Sequence, residues 1–256
     1  MSPADVSSRS EFFDALKAGD YSTVEVLLAR DPALVHAQSE DGTKPAMIAR
    51  YYGEDRIAEL LVERGAEIDI FAATVLGRMR DLQSLLDATP DLIHAYSPDG
   101  WTALHLAGHF GCAKSAETLL DRGADIGALS HNRNGNTPLH AALAGRRRDV
   151  ALLLIERGTK VSAVDAQGWT PLHLAAHWGN ADLVRILLDR GASPNAATNQ
   201  GITPLVLASQ QGHSEVVELL RERGADSQAN AFLKCVQEQA HGDAGQGAAG
   251  DDGQEL

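Results

Sequence analysis

The chain has 256 residues and a formal net charge of -13, because 35 acidic residues outnumber 22 basic ones. This excess of carboxylates argues against a phosphate-binding surface, since nucleic-acid affinity depends on Lys and Arg side chains, and we expect no nucleic-acid partner. Aromatic residues make up only 5% of the chain, which favours thin layers of small-residue helices over one deep core.

Residues 1–9 contain no apolar run that could serve as a signal sequence, and we expect this segment to be flexible. The rest of the chain has no continuous apolar stretch long enough to cross a bilayer, so no membrane-spanning helix is expected. The two cysteines, Cys112 and Cys235, lie too far apart to indicate a disulfide framework or a metal motif. These features predict a cytoplasmic protein.

The first half of the chain contains a duplicated block. Gly and Pro positions in the first copy recur at one constant spacing in the second, as with Gly19 and Gly77 or Pro32 and Pro90. Each block predicts two helical hairpins. The first hairpin of each block ends in a longer connection, and in the second block it forms a shortened unit over residues 69–97, where we expect a different local curvature.

The second half repeats one motif. Asp99-Gly-Trp-Thr-Ala-Leu-His105 is followed by a Gly-x-Thr-Pro-Leu pattern that ends at His140, at His173 and at Val206. The last two steps are equal in length, and their period is typical of one class of helical repeat. In the third copy Thr170 is a candidate helix N-cap, Pro171 suits the first helical position, and His173 can bond back into the same turn.

These motifs resemble those of the ankyrin repeat family, and the resemblance extends over most of the chain. The resemblance implies an all-α solenoid of about seven stacked helix-turn-helix units, each with a β-turn finger. We place the repeat domain at residues 10–230, a C-terminal capping helix at 231–240 and a disordered tail at 241–256. The predicted units are 10–40, 41–68, 69–97, 98–132, 133–165, 166–198 and 199–230.

In the ankyrin family, a partner usually meets the fingers and the first helix of each hairpin, on the concave side. Six of the twelve aromatic residues occupy those positions in this chain. The competing interpretation is that each ring packs against its neighbouring repeat. The predicted partner-binding residues are Tyr51, Tyr52, Tyr96, Trp101, His109, Phe110, Asn136, Trp169, His177, Trp178, Gln210 and Gln211.

Histidines lie four residues apart at His105/His109 and at His173/His177, which could suggest metal pairs. No third ligand accompanies either pair, so we expect no metal site and no cofactor. His105, His140 and His173 are instead interpreted as hydrogen-bonding residues of the repeated turn. His109 and His177 are assigned to the binding face, where they could make an interface pH-sensitive around their ordinary pKa of about 6.5.

Arg146, Arg147 and Arg148 form the one positive cluster of the sequence. In this hairpin Gly145 comes one residue early, and Arg146 stands in the place of the glycine between the two helices. The cluster could dock an acidic partner, but a solvated face is the favoured interpretation.

No nucleophile with its base, metal set or phosphate loop occurs at a recognisable spacing, so the chain is predicted not to be an enzyme. We expect a monomeric adaptor or scaffold that binds a protein. The alternatives are a small-ligand binder or enzyme that uses a groove lined by His, Trp and Tyr, and a self-associating structural protein.

Overall fold

The computed structural model describes residues 3–226, and of residues 3–7 it describes the backbone alone. The chain divides into two compact units, residues 1–160 and 161–256. Within the described residues the fold is all-α: there is no β-strand, and the single isolated β-bridge joins Tyr96 to Thr102.

Ten α-helices form the first unit, and four form the described part of the second. Those of the first unit are α1 (Pro3–Ala18), α2 (Tyr21–Arg30), α3 (Pro45–Tyr51), α4 (Asp55–Glu63), α5 (Ile70–Val75), α6 (Met79–Ala88), α7 (Ala103–Phe110), α8 (Ala113–Asp121), α9 (Pro138–Ala144) and α10 (Arg148–Glu156). Those of the second are α11 (Pro171–His177), α12 (Ala181–Asp189), α13 (Pro204–Gln210) and α14 (Ser214–Glu222). The longer connections of the duplicated block contain 3-10 helices, Pro32–His36 and Pro90–His94.

Consecutive helices pair into hairpins, and within each unit the hairpins stack on one another in chain order. In the first unit α1, α3, α5 and α7 each contact the next first helix, and in the second unit α11 contacts α13. The buried side chains follow helical spacing, as with Leu183, Val184 and Leu187 on α12. The core is therefore a thin layer between helix pairs, as the resemblance to ankyrin repeats implied.

The N-terminus differs from the prediction of a flexible segment over residues 1–9. Helix α1 begins at Pro3 and continues to Ala18. Proline is well suited to the first position of a helix, because its fixed φ matches the helix and its missing N–H would have no partner there. The predicted capping helix at 231–240, the tail at 241–256 and Cys235 lie outside the described residues.

The repeated threonine caps the first helix of each regular hairpin. At Thr170 the side chain accepts from the backbone N–H of His173, and Nδ1 of His173 accepts in return from the N–H of Thr170, at 3.1 Å. The same reciprocal box forms at Thr102 and Thr137. The prediction that His173 bonds back into its own turn is confirmed, and the box satisfies backbone donors that a helix start leaves open.

The fingers are tight turns closed by backbone hydrogen bonds, as between the N–H of Ser97 and the carbonyl of Trp101 at 2.8 Å. Neighbouring fingers are joined by further backbone bonds. In the first unit the N–H of His131 donates to Gly100, and in the second that of Asn199 donates to Gln167. The five fingers of the described residues are Ser39–Thr43, Ser97–Trp101, Ser130–Asn136, Asp165–Trp169 and Thr198–Ile202. Each finger takes the number of the hairpin that follows it, so these are the second, fourth, fifth, sixth and seventh fingers.

The third hairpin, α5 and α6, is shorter than the regular ones and has no finger. Its turn glycine, Gly77, follows the N-cap Asp69 by eight residues, whereas Gly111 follows Thr102 by nine. Asp69 replaces threonine as the cap and accepts from the N–H of Ala72 at 2.8 Å. The chain thus passes directly from the end of the second hairpin into α5.

Arginines that follow the second helices form ion pairs with the preceding hairpin. Arg122 contacts Asp87 at 2.7 Å and Arg157 contacts Asp121 at 2.8 Å, and in the second unit Arg223 contacts Asp189 at 2.7 Å. These pairs are partly exposed, so each contributes little to the free energy of unfolding. They do neutralise charges at the ends of the second helices.

Candidate partner-binding face

Four aromatic rings lie in one continuous series in the first unit, which we call the first aromatic cluster. The ring centroids of Tyr51 and Phe110 are 5.3 Å apart, those of Phe110 and His109 5.1 Å, and those of His109 and Trp101 5.2 Å. Tilted and edge-to-face pairs at these separations are favourable beyond the area they bury. The structure thus brings together residues from the second and fourth hairpins and the fourth finger.

The first aromatic cluster is partly core and partly surface. Trp101 and Phe110 are half-buried and pack against a small apolar core that includes Met47 and Leu106. Tyr51 is 37% exposed and the adjacent Tyr52 is 55% exposed. Packing between repeats therefore accounts for much of the reason that aromatic residues occupy positions 101 and 110, whereas Tyr52 exposes most of its surface to solvent.

Tyr51 connects the second hairpin to the fourth finger. Its hydroxyl donates to the carboxylate of Asp99, and burial, together with this bond and the charge of Asp99, raises the pKa of the phenol. The guanidinium of Arg50 lies 5.1 Å from the ring of Phe110, within the range of a cation–π contact. Tyr51 and Phe110, at one end of the cluster, are therefore each held by a polar partner.

The second unit carries a comparable group, Trp169, His177 and Trp178, which we call the second aromatic cluster. The rings of Trp169 and His177 are 6.2 Å apart and those of His177 and Trp178 are 4.4 Å apart. Trp178 is 38% exposed. Gln210 and Gln211, at the end of α13 in the same unit, are exposed.

Two residues of the predicted set hold fingers in place. Tyr96 stacks on His131, with centroids 3.5 Å apart, and its hydroxyl donates to the carbonyl of Leu129. Asn136 is only 9% exposed, and its carbonyl accepts from Nε2 of His105 at 2.8 Å. Asn136 therefore offers little surface for the partner contact that the sequence predicts.

The pKa of His109 lies below its ordinary value, so the pH sensitivity predicted around 6.5 shifts to lower pH. Burial and then the charge of Arg147 lower the pKa of its imidazole, and its Nδ1 is buried without a hydrogen-bond partner among the described residues. Its backbone carbonyl accepts from Nε of Arg147 at 3.1 Å. The carbonyl of His177 accepts likewise from Nε2 of His213.

No group of three or more His, Cys, Asp or Glu residues within the described chain is placed to hold a metal ion. His105 uses Nδ1 in its own turn and Nε2 for the carbonyl of Asn136. Burial lowers its pKa to about 4. This histidine therefore holds two hydrogen bonds as the neutral form, with Nε2 protonated.

The turn of the fifth hairpin confirms the interpretation of Arg146 as a replacement for glycine. Arg146 has φ 57°, in the left-handed region that turn glycines such as Gly111 and Gly179 occupy at 79° and 69°. A Cβ on Gly145 would lie 2.3 Å from the carbonyl oxygen of His109. Glycine is needed at position 145 because the backbone of the fourth hairpin approaches it closely, and Arg146 therefore adopts the left-handed conformation of the turn.

Two cavities adjoin Tyr51. The larger, of about 1110 Å³, lies between α1 and the second finger, and the smaller, of about 270 Å³, lies between the second and fourth fingers. They share Thr43, Tyr51 and Asp99. Sequence reasoning missed both cavities. For the smaller one, which lies where a third finger is absent, the lack of a Gly-x-Thr motif before Ile70 was the signal available.

The family model described as ankyrin repeats (three copies) matches residues 70–165 and 158–231, more than half of the chain. This chain belongs to the ankyrin repeat family. No described helix is both long enough and apolar enough to cross a membrane.

Curated relatives share the repeats over part of their length. The chain is 34% identical over 124 residues to ankyrin repeat and SAM domain-containing protein 6 of Mus musculus, covering 48% of this chain and 11% of the relative. It is 32% identical over 152 residues to B-cell lymphoma 3 protein of Homo sapiens, covering 54% and 34%. It is 27% identical over 171 residues to putative E3 ubiquitin-protein ligase XBAT31 of Arabidopsis thaliana, covering 59% and 38%. The chain thus spans well under half of each.

Proposed function

We propose that this chain is a non-catalytic adaptor that binds a protein partner through the fingers and first helices of its hairpins. Ankyrin repeats are in general protein–protein interaction modules, and the family is generally non-enzymatic. The observation that carries the proposal is the exposure of Tyr52 and Trp178 beside half-buried aromatic clusters. Aromatic side chains held rigidly at a surface are the usual anchors of protein interfaces.

The two aromatic clusters are proposed to act as separate contact areas, one on each compact unit. In each, an exposed ring adjoins rings fixed by packing or hydrogen bonds, so little side-chain entropy is lost on binding. The chain itself is proposed to be a cytoplasmic monomer without a cofactor. A self-associating protein or a small-ligand binder would use the same rings and is distinguished by experiment.

The test requires a partner isolated by cross-linking to the full chain and then purified. We expect Tyr52→Ala and Trp178→Ala each to raise the Kd about 5- to 30-fold, because each removes about 1 to 2 kcal/mol of interface energy. Val26→Ala is the matched control, since Val26 is 47% exposed on α2, a second helix.

Equal Kd values for the two aromatic variants and the wild type would overturn the proposal. Dimerisation in light scattering that the aromatic variants abolish would instead indicate self-association. Saturable thermal stabilisation by a small molecule, without any protein partner, would indicate a ligand-binding protein.

A further inference from the structure

The missing third finger leaves a cleft in the row of fingers. Where fingers follow one another within a unit they are joined by backbone bonds, such as that from His131 to Gly100. Among the described residues, no backbone bond joins the second finger to the fourth. A Cβ on Gly42 would come no closer than 3.9 Å to Pro98. The cavity of about 270 Å³ lies in this gap.

The cleft has apolar walls. Met47, Phe71 and Pro98 line it, and Tyr51 closes one side. Its volume equals that of about nine molecules of liquid water, which is room for one large side chain. Lys44, at its edge, is paired with Asp69 at 2.9 Å and Glu67 at 3.1 Å. The one base that lines the cleft is therefore already neutralised.

The second finger has a small residue where other fingers carry tryptophan. Thr43 lines both cavities, and the corresponding positions of the fourth and sixth fingers are Trp101 and Trp169. Trp101 fills the space beside its finger by packing on the core around Met47. The smaller Thr43 leaves the space beside the second finger unfilled, and the cavity occupies it.

The larger cavity is acidic. Four carboxylates line it against two basic side chains, and none of the four forms an ion pair within the described part of the chain. Hydrogen bonds from Ser39 and from the backbone of Thr43 lower the pKa of Asp41, so its charge persists to acidic pH. The arginines after the second helices are paired elsewhere. The carboxylates are Asp14, Glu40, Asp41 and Asp99; the bases are Arg9 and Lys17.

We propose that the cleft and the acidic cavity together bind an extended segment of a protein partner that carries one large apolar side chain next to a Lys or Arg. The apolar side chain enters the cleft, and the base lies in the acidic cavity on the other side of Tyr51. The cavities share three lining residues, so neighbouring side chains of one segment reach both. The inference rests on the proposed function and specifies its partner.

Charge excludes the nearest alternative occupants. Residues 241–256 of this chain contain four acidic residues and no Lys or Arg, so the acidic cavity repels them. Acidic peptides and nucleic acids are disfavoured for the same reason. A base flanked by an apolar side chain matches both the sign of the charge and the shape of the cleft.

The test selects peptides from a random heptapeptide library on the immobilised full chain. We expect the enriched peptides to carry Leu, Ile, Met, Phe or Trp within two positions of Lys or Arg. In fluorescence polarisation, replacing the apolar residue of an enriched peptide by Ser, or its base by Glu, is expected to weaken binding about tenfold or more. Enrichment of acidic peptides, or no selection at all, overturns the inference.

Thr43→Trp fills the cleft with a side chain that two other fingers already accept, and it is expected to weaken the enriched peptide about tenfold or more. Ile202→Trp, at the same finger position of the last hairpin, is the matched control and is expected to change the Kd by less than about twofold. Thermal melting verifies that both variants fold. Equal Kd values for the two overturn the inference.

The paired change Glu40→Gln and Asp41→Asn removes two charges from the acidic cavity, and the amide oxygen at position 41 can still accept from Ser39 and from the backbone of Thr43. We expect weaker peptide binding and a smaller loss of affinity as salt is raised. An unchanged salt dependence contradicts the assignment of the base to the acidic cavity.

The inference and the proposed function fail separately. Tyr52 lines the acidic cavity, so Trp178→Ala is the variant that separates the two. A partner that responds to Trp178→Ala but not to Thr43→Trp leaves the adaptor proposal standing and refutes the cleft. A partner that responds to Thr43→Trp but not to Trp178→Ala supports the cleft and refutes the second aromatic cluster as a contact area.

Discussion

The third and fifth hairpins both depart from the regular repeat, with opposite results. The third lacks a finger and one residue of its first helix, and a cavity of about 270 Å³ lies between the second and fourth fingers. The fifth keeps its length but moves its glycine, and Gly145 comes into close approach with His109. The missing finger leaves a cavity between the neighbouring fingers. The shifted glycine leaves the fifth hairpin intact, and its effect is confined to a strained backbone conformation at Arg146.

The regular hairpins explain this difference. Their threonine caps close the turn of their own helix, and within a unit the histidine joins its hairpin to the next finger, as His105 does with Asn136 and His173 with Ile202. The third hairpin has no such link to offer, and its cap is Asp69. The fifth hairpin retains the whole set, including Thr137 and His140, so its backbone stays in register and Arg146 adopts a left-handed conformation.

The largest change in the free energy of unfolding is expected from a substitution at the close approach between Gly145 and His109. Gly145→Ala is expected to lower the free energy of unfolding by about 3 kcal/mol, because the new methyl group would overlap the carbonyl oxygen of His109. Gly123→Ala is the control: Gly123 has φ 89° but open space, so a cost of about 1 kcal/mol is expected. Urea denaturation measures both, and equal losses would mean that the contact with His109 is relieved by movement.

The next effect tests the histidine link of the regular hairpins. The folded pKa of His105, about 4, lies below its ordinary value of 6.5, because burial favours the neutral form. The unfolded chain therefore binds the extra proton, and the free energy of unfolding falls as pH decreases from about 6.5 towards 4. Between pH 7 and pH 5 the expected loss from this group is about 2 kcal/mol.

His105→Gln removes this titration because an amide does not ionise in this pH range. Glutamine is chosen because its side chain at the third helical position can still close the capping box. The variant is expected to be less stable at pH 7 and to lose less stability than the wild type between pH 7 and pH 5. Parallel pH profiles for the two proteins would contradict the role given to His105.

The smallest effect relieves the strain in the fifth hairpin. Arg146→Gly is expected to raise the free energy of unfolding by about 1 kcal/mol, because glycine adopts φ 57° without steric cost. Arg185→Gly is the control, since it places glycine in the interior of α12 at an exposed position and should cost about 1 kcal/mol. A loss of stability in Arg146→Gly would show that contacts of the arginine side chain outweigh the backbone strain.

The sequence predicted the parts of the fold that depend on neighbouring residues. Thr170 and His173 lie in one turn, and Arg146 is placed by counting from the helix cap, so both predictions were correct. The inward position of Asn136 and the lowered pKa of His109 depend on another hairpin approaching, which spacing along the chain does not encode.

The same limit applies to the candidate site. The aromatic residues were identified from their repeat positions, but the cleft beside Thr43 was not, because it arises between two fingers that are separated along the chain by two hairpins. A missing motif is visible in a sequence only as a gap in a pattern. The resulting cavity depends on how the second and fourth fingers are placed in three dimensions, which the pattern does not give.

The histidine links also determine where this protein can be divided. A fragment ending at Asn132, the predicted edge of the fourth unit, would lose the carbonyl of Asn136 that accepts from Nε2 of His105. A fragment extended through Asn136 would retain it. Truncated forms that keep the finger of the following unit should therefore remain folded at higher temperatures than forms cut at the repeat boundary.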